Sequence, residues 1–227
     1  MKPICLICAR GGSKGVRNKN TRIIHKKPLI AHTIEKAVNS NIFSHVVVST
    51  EDEKIAKISK QYGAEIPFIR PKKLSGDLTP IGDVFVHAIK KLETLGYEFD
   101  MFVNLDCTVP FIDKKDILGS INLLKKKKCD AVYGVYRQHL NPYFNMMELN
   151  SKGFLSMTKK LTKRPRNRQE APVVYQLNGL FTYNKEKFLK IKNPIMPKAV
   201  PFEIPLERGF MIDTEAEFNM AKLMFKK

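Results

Sequence analysis

Short apolar runs alternate with amphipathic stretches along the chain as far as residue 137, and this alternation constrains the fold more than any other feature. PICLICA, at the start, has the length and content of a buried parallel strand. PLIAHTIEKAVNS then sets Leu29, Ile30, Ile34 and Ala37 at helical spacing. HVVVST reads as the next strand, and EDEKIAKISKQYG as a helix with acidic residues in its first turn and Gly63 past its end. IPFI reads as a short strand. In SGDLTPIGDVFVHAIKKLETLG, Thr79 is the expected N-cap and Pro80 the first helical residue, ahead of Val84, Ala88, Ile89 and Leu92. MFVNL is a further strand, KKDILGSINLLKKK a helix capped by Asp113, and DAVYGVY another strand.

Repeated βα units with short connections predict an α/β fold with a doubly wound, mostly parallel sheet. Ligands of such sheets bind at the carboxyl ends of the strands, near a reversal of strand order. The ends at Arg10, Ser49 and Asp106 are therefore expected to converge. Residues 137–176 break the alternation with polar turns, prolines and many cations, and read as an inserted hairpin or flap in a single domain spanning 1–227. LNGLFTYN resumes strand character, and TEAEFNMAKLMFKK is an amphipathic helix with Asp213 and Thr214 at its start.

A composition of 43% hydrophobic and 27% charged residues belongs to a globular protein and excludes a disordered tail. No run approaches the roughly 18 apolar residues of a membrane span, and the three regions of a signal peptide are missing, so a cytoplasmic protein is expected. Cys5 and Cys8 have CxxC spacing, but they lie inside a strand without a second ligand pair and read as reduced core residues.

The net charge of +18 implies a polyanionic partner: nucleic acid, a membrane surface or a highly charged small substrate. Its lysines are scattered through helices without an aromatic platform or a recognisable nucleic-acid-binding motif, which weighs against the first. ICARGGSKGVRNKN follows the first strand and offers a phosphate both elements it needs. Gly11, Gly12 and Ser13 allow close backbone approach, and Arg10, Lys14 and Lys19 bring neutralising charge. The pattern is neither GxGxxG nor GxxxxGK[ST], so a Rossmann or Walker site is not supported. Downstream, IRPKKLSGDLTP adds Arg70, Asp77 and Thr79 on a loop after a strand.

ARGGSKGVRNKN with KPLI, RPKKLSGDLTP, LDCTVP, RQEAPVVYQLNGLFTY and IDTEAEF, in this order and spacing, closely resemble the acylneuraminate cytidylyltransferases, the CMP-sialic acid synthetase family. ICARGGSKG, LDCTVP and NPYFNMMEL look most like its bacterial branch, which activates legionaminic acid and related nonulosonates. The resemblance implies transfer of CMP from CTP to the anomeric hydroxyl of a nine-carbon 2-keto sugar acid, with release of pyrophosphate. It implies that Arg10, Lys14 and Lys19 hold the triphosphate, that Asn20 and Arg70 meet the nucleotide, and that Arg168, Gln169 and Asn178 meet the sugar acid. It also implies a homodimer in which the basic flap, with Arg164, Arg166 and Arg168, packs against the partner subunit and approaches its sugar site.

Magnesium is the expected ion, since carboxylate and phosphate oxygens are its preferred ligands. The family pattern has two aspartates separated by one residue, whereas FMIDTEAEF retains only the second, Asp213, with Met211 at the first position. A thioether is a poor magnesium ligand. Asp106 stands in DCTVPFI where many relatives have glutamine, and Ile112 where they have arginine. Asp106 either joins Asp213 in holding magnesium or orients substrate hydroxyls only. The alternative readings are a cytidylyltransferase for the eight-carbon sugar Kdo, against which the acidic Asp-Glu-Pro segment of that family is absent, and a basic nucleic-acid-binding protein.

Overall fold

The computed structural model describes residues 1–226. Along the chain come β1 (Ile4–Cys8), a hairpin of β2 (Ile23–Ile24) and β3 (Lys27–Pro28), α1 (Leu29–Asn39), β4 (Val46–Ser49), α2 (Glu53–Gln61), α3 (Ile81–Thr94), β5 (Met101–Leu105), α4 (Lys114–Lys127) and β6 (Ala131–Arg137). A second hairpin, β7 (Met147–Leu149) and β8 (Leu155–Met157), precedes β9 (Tyr175–Asn184), α5 (Lys185–Ile191), β10 (Ala199–Glu203), α6 (Leu206–Gly209) and α7 (Glu215–Met224).

The main sheet has the order β10-β6-β9-β5-β1-β4. β1 is parallel to both of its neighbours, β10 is parallel to β6, and β9 runs antiparallel between β5 and β6. This is the expected mostly parallel α/β sheet. Alternating apolar residues cover both faces. Ile30, Ile34 and Ala37 of α1 pack with Ile117, Ile121 and Leu124 of α4 on one side. Phe85, Ala88, Ile89 and Leu92 of α3 pack with Phe102, Tyr183 and Phe188 on the other. Each fully buried side chain of this kind is worth about 1.5–3 kcal/mol. Because β4 and β5 lie on opposite sides of β1, with α1 and α3 on opposite faces, the strand order reverses at β1, which fixes where a ligand cleft opens.

A third cluster joins the two ends of the sequence. Val16, Ile24 and Leu29 pack against Ile212, Phe218 and Ala221, seating the loop after β1 on α7. Arg22 adds an ion pair with Glu215 and lies over the Phe218 ring at 4.2 Å.

Several local expectations need correction. IPFI forms no strand: Glu65 alone bridges to Val47, and Pro67 withdraws the donor that a continued ladder along the edge strand β4 would need. Thr79 does not cap α3. Pro80 occupies the N-cap position, with no side-chain cap bond, and Thr79 turns back toward the Lys73 carbonyl. Asp113 does cap α4, in a reciprocal capping box with Asp116. At α7 the cap is Thr214, boxed with Glu217, which leaves the Asp213 carboxylate outside the helix. The chain between β6 and β9 leaves the sheet and carries the β7–β8 hairpin, whose residues are largely exposed. No helix among the described residues is long and apolar enough to cross a membrane.

Candidate active site

Three chambers open at the carboxyl end of the sheet. The first, of about 480 Å³, is lined by Arg10, Ser13, Lys14, Lys19 and Asn20 from the loop after β1, by Asp106 after β5, and by Met211 and Asp213 before α7. The second, of about 230 Å³, shares Cys8 and Arg10 with the first and extends to Arg70, Asp77 and Thr79. The third, of about 400 Å³, shares Asp106 with the first and Ile81 with the second, and its other walls are mostly apolar: Phe85, Leu177, Phe181, Tyr183 and Ile195. Arg10 and Asp106 thus share one cleft, as the strand ends predict, whereas Ser49 is buried below it.

The loop after β1 is held by its own side chains. Ser13 Oγ donates to the Val16 carbonyl at 2.6 Å and accepts the Lys19 N–H at 3.0 Å, and Asn20 Nδ2 donates to the Arg10 carbonyl at 3.1 Å. Gly15 is required by close approach: a Cβ there would lie 2.1 Å from the carbonyl oxygen of Asp213. That contact brings Lys19 Nζ to 2.9 Å from both Asp213 Oδ1 and the Ile212 carbonyl. The Lys19 side chain is 14% exposed and that of Asp213 57%, so the lysine is fixed while the carboxylate faces the chamber.

Gly11 departs from its expected role. Its N–H donates to Glu51 Oε1 at 2.8 Å, so this amide is already committed to a carboxylate and is not offered to a phosphate. Gly12 has open space around it but lines none of the chambers. Arg70 is buried and held by three donations: Nε to Ser75 Oγ at 3.1 Å, Nη2 to the Ala9 carbonyl at 3.1 Å, and Nη2 to Glu51 Oε2 at 2.6 Å. Burial alone would raise the Glu51 pKa, but the bonds from Gly11 and Arg70 outweigh it and hold that carboxyl below its usual range. Arg70 is in this way a rigid cation in the wall of the second chamber.

Arg10 and Lys14 meet at a shared counter-ion. Arg10 Nη1 lies 2.8 Å from Asp77 Oδ1, and Lys14 Nζ 2.6 Å from Asp77 Oδ2. The Lys14 hydrogen bond, reinforced by the charges of Lys14 and Arg10, lowers the Asp77 pKa.

Asp106 is set by β5 and β9. Its N–H donates to the Gly179 carbonyl at 2.9 Å, and Asn104 Nδ2 donates to its Oδ1 at 2.9 Å. Gly179 sits at φ +78, in the left-handed region that favours glycine, and a Cβ there would come within 3.0 Å of the Asp106 Cβ. Burial raises the Asp106 pKa to about 6, with the Asn104 hydrogen bond opposing and the Asp213 charge adding to the rise. The two carboxylates therefore feel each other across the chamber. Cys8, at the junction of the first two chambers, is pushed up to about 12, chiefly by burial, and is a neutral thiol rather than a nucleophile.

Three residues that the resemblance assigns to the sugar stand apart. Asn178 is fully buried, packed against Gly134 and Gly209, because alternation along β9 sends it to the face opposite Leu177. Arg168 and Gln169 are exposed in a short turn of the flap and line none of the three chambers. Conversely, Gly15, Glu51 and Asn104 escape motif reading. The signals available for them were a third glycine in the loop, an acidic residue just past a strand end, and a lone amide in the apolar strand MFVNL.

Among the described residues no cluster of three or more His, Cys, Asp or Glu side chains is arranged to hold a metal. Asp106 and Asp213 are two hard oxygen donors facing one chamber, which fits an ion that takes one or two protein carboxylates and completes its shell with phosphate oxygens and water.

Residues 4–207 match the family model described as cytidylyltransferase. The chain is 32% identical over 226 residues to post-translational flagellin modification protein B of Campylobacter coli, covering 99% of this chain and 95% of that protein. It is 32% identical over 227 residues to the CMP-N,N'-diacetyllegionaminic acid synthase of Campylobacter jejuni, covering 97% and 94%. Among solved structures, a CMP:2-keto-3-deoxy-manno-octonic acid synthetase in complex with CTP aligns with a TM-score of 0.74 over 100% of this chain and 99% of that one. Its sequence identity is 18%, so this likeness shows the fold alone.

Proposed function

The chain belongs to the cytidylyltransferase family, and from that premise we propose that it transfers CMP from CTP to the anomeric hydroxyl of a nonulosonic acid of the legionaminic type, releasing pyrophosphate. The observation that carries this reading is the meeting of three chemically different chambers at Arg10, Asp106 and Ile81. The cationic chamber suits a triphosphate, the chamber walled by Arg70 suits the cytidine, and the apolar chamber beyond Asp106 suits a sugar with apolar substituents.

In this reading Lys19, Arg10 and Lys14 neutralise the phosphates, the last two after leaving Asp77. The sugar hydroxyl attacks the α-phosphorus in line with the departing pyrophosphate, forming the new O–P bond as the bond to pyrophosphate breaks and giving up its proton to water. Once gathered on the phosphates, these cations lower the barrier by positioning and by charge stabilisation, and no covalent enzyme intermediate is needed. Asp213 and Asp106 would hold magnesium, which when bound draws charge from phosphate oxygens. Lys19, anchored on the Ile212 carbonyl, holds the Asp213 carboxylate in orientation.

A cytoplasmic homodimer completes the proposal. Arg168 and Gln169, exposed on the flap and lining none of their own chambers, would reach the partner's cleft. A panel of sugar acids assayed for pyrophosphate release with CTP and magnesium tests the reading: N-acetylneuraminic, legionaminic, pseudaminic and Kdo. Turnover with an N-acylated nonulosonate and not with Kdo is expected. Turnover with Kdo alone, or CTP binding without turnover on any acid, overturns it.

A further inference from the structure

The strand β5 reads MFVNL, and four of its five residues are apolar. Met101, Val103 and Leu105 face the α1 and α4 side, and Phe102 faces α3 in a cluster with Phe85 and Tyr183. Asn104 follows Phe102 on that same apolar face and is 1% exposed. Its Nδ2 donates to Asp106 Oδ1 at 2.9 Å, while its Oδ1 has no partner. The amide cannot usefully turn over, because its oxygen would then face a carboxylate oxygen. Four other buried side-chain polar atoms lack partners among the described residues, on Thr33, Ser49, His87 and Asn178, and none of those residues lines the chambers described above. Asn104 does, at the point where the apolar chamber reaches Asp106.

An unmet acceptor on a residue that lines the same chamber as Phe85, Phe181 and Ile195 asks for a donor that carries an apolar group with it. A secondary amide answers this description: its N–H satisfies the oxygen and its acyl methyl fills the apolar wall. A bare hydroxyl would supply the donor and leave the wall in contact with water, and a carboxylate would meet Asp106. We propose that Asn104 is a specificity residue that reads an acylamido substituent of the sugar acid, by accepting its N–H at Oδ1. The inference rests on the reading that a nonulosonic acid is the acceptor of CMP.

The test compares two nonulosonic acids that differ at one carbon, acylamido in one and hydroxyl in the other, with wild-type protein and Asn104→Leu. Wild type is expected to favour the acylamido acid. Asn104→Leu is expected to raise KM for that acid about 10–100-fold, to change KM for the hydroxyl acid far less, and to leave KM for CTP within about twofold. If Asn104 only orients Asp106, the substitution slows both acids equally, which overturns the inference while the reaction stands. A wild-type enzyme indifferent to the pair overturns it too, without recourse to any variant's folding. Absence of pyrophosphate release with every sugar acid overturns the underlying reading as well.

Discussion

Asp106 sets burial against ionisation on one carboxyl group. Its folded-state pKa is raised to about 6, chiefly by burial, from an ordinary value of 3.8. A raised carboxyl pKa means that ionisation opposes folding: the cost is absent below the unfolded value, grows as pH rises toward 6, and is constant above. Asp106→Asn is therefore expected to be more stable than wild type above pH 6, by up to about 3 kcal/mol, with the difference vanishing near pH 4. Thermal melts of both proteins across that range check the sign, and a constant difference would contradict it. Activity should move the other way. If Asp106 is the proposed magnesium donor, its protonation removes that donor, so the apparent magnesium requirement of wild type should rise about tenfold per pH unit below 6, while Asp106→Asn should need more magnesium above pH 6 and the difference should shrink below it. Asp77 makes an independent prediction. It pairs with Arg10 and Lys14, the two cations the proposed function gives to the triphosphate, so on that reading Asp77→Asn should lower KM for CTP severalfold with kcat little changed, measured at fixed magnesium. A raised KM would mean that Asp77 aligns Arg10 and Lys14 rather than competing for them.

The elements that build the cleft were legible to different degrees, for physical reasons. α1, α3, α4 and the inner strands carry strong apolar periodicity, since each buries a full face, and they fall where the spacing puts them. IPFI has strand composition but lies at the sheet edge with a proline, where context decides. Asp213 and Thr214 stand together before α7, and local sequence lets either residue cap the helix. The capping box from Thr214 to Glu217 settles that choice and frees the aspartate. Arg70 reads as a cation after a strand, but its partner Glu51 is a long-range contact that local spacing cannot reveal. The joint between the first loop and α7 is of the same kind and rests on Gly15. Gly15→Ala would drive a Cβ into the Asp213 carbonyl, so the loop must lift from α7, costing about 1–3 kcal/mol. Because Lys19 and Asp213 move apart in that event, the variant should lose kcat even at temperatures where it remains folded. A variant destabilised but fully active would separate the joint from the chemistry.

At the scale of the whole molecule, the chain carries +18 charge, yet its flap exposes apolar side chains. Leu149 is 70% exposed, Phe154 68% and Leu155 64%, all on or beside the β7–β8 hairpin. Apolar residues gathered on an exposed hairpin, outside the three core clusters of the described residues, favour association. A second copy of the chain accounts for two facts at once. It would cover the hairpin, and in the proposed reading it would bring Arg168 and Gln169, which line none of their own chambers, toward an apolar chamber whose own lining contains no arginine. A two-fold interface is self-complementary, so one substitution counts twice. Leu149→Glu with Phe154→Glu should therefore convert a dimer to a monomer in sedimentation at micromolar concentration. If the site is assembled as proposed, CTP binding should survive, while KM for the sugar acid should rise at least tenfold as Arg168 of the second copy is withdrawn. Arg168→Ala should reproduce the sugar defect without dissociating the dimer. A monomer that keeps its full sugar affinity would confine the site to a single chain and leave the flap a purely adhesive role.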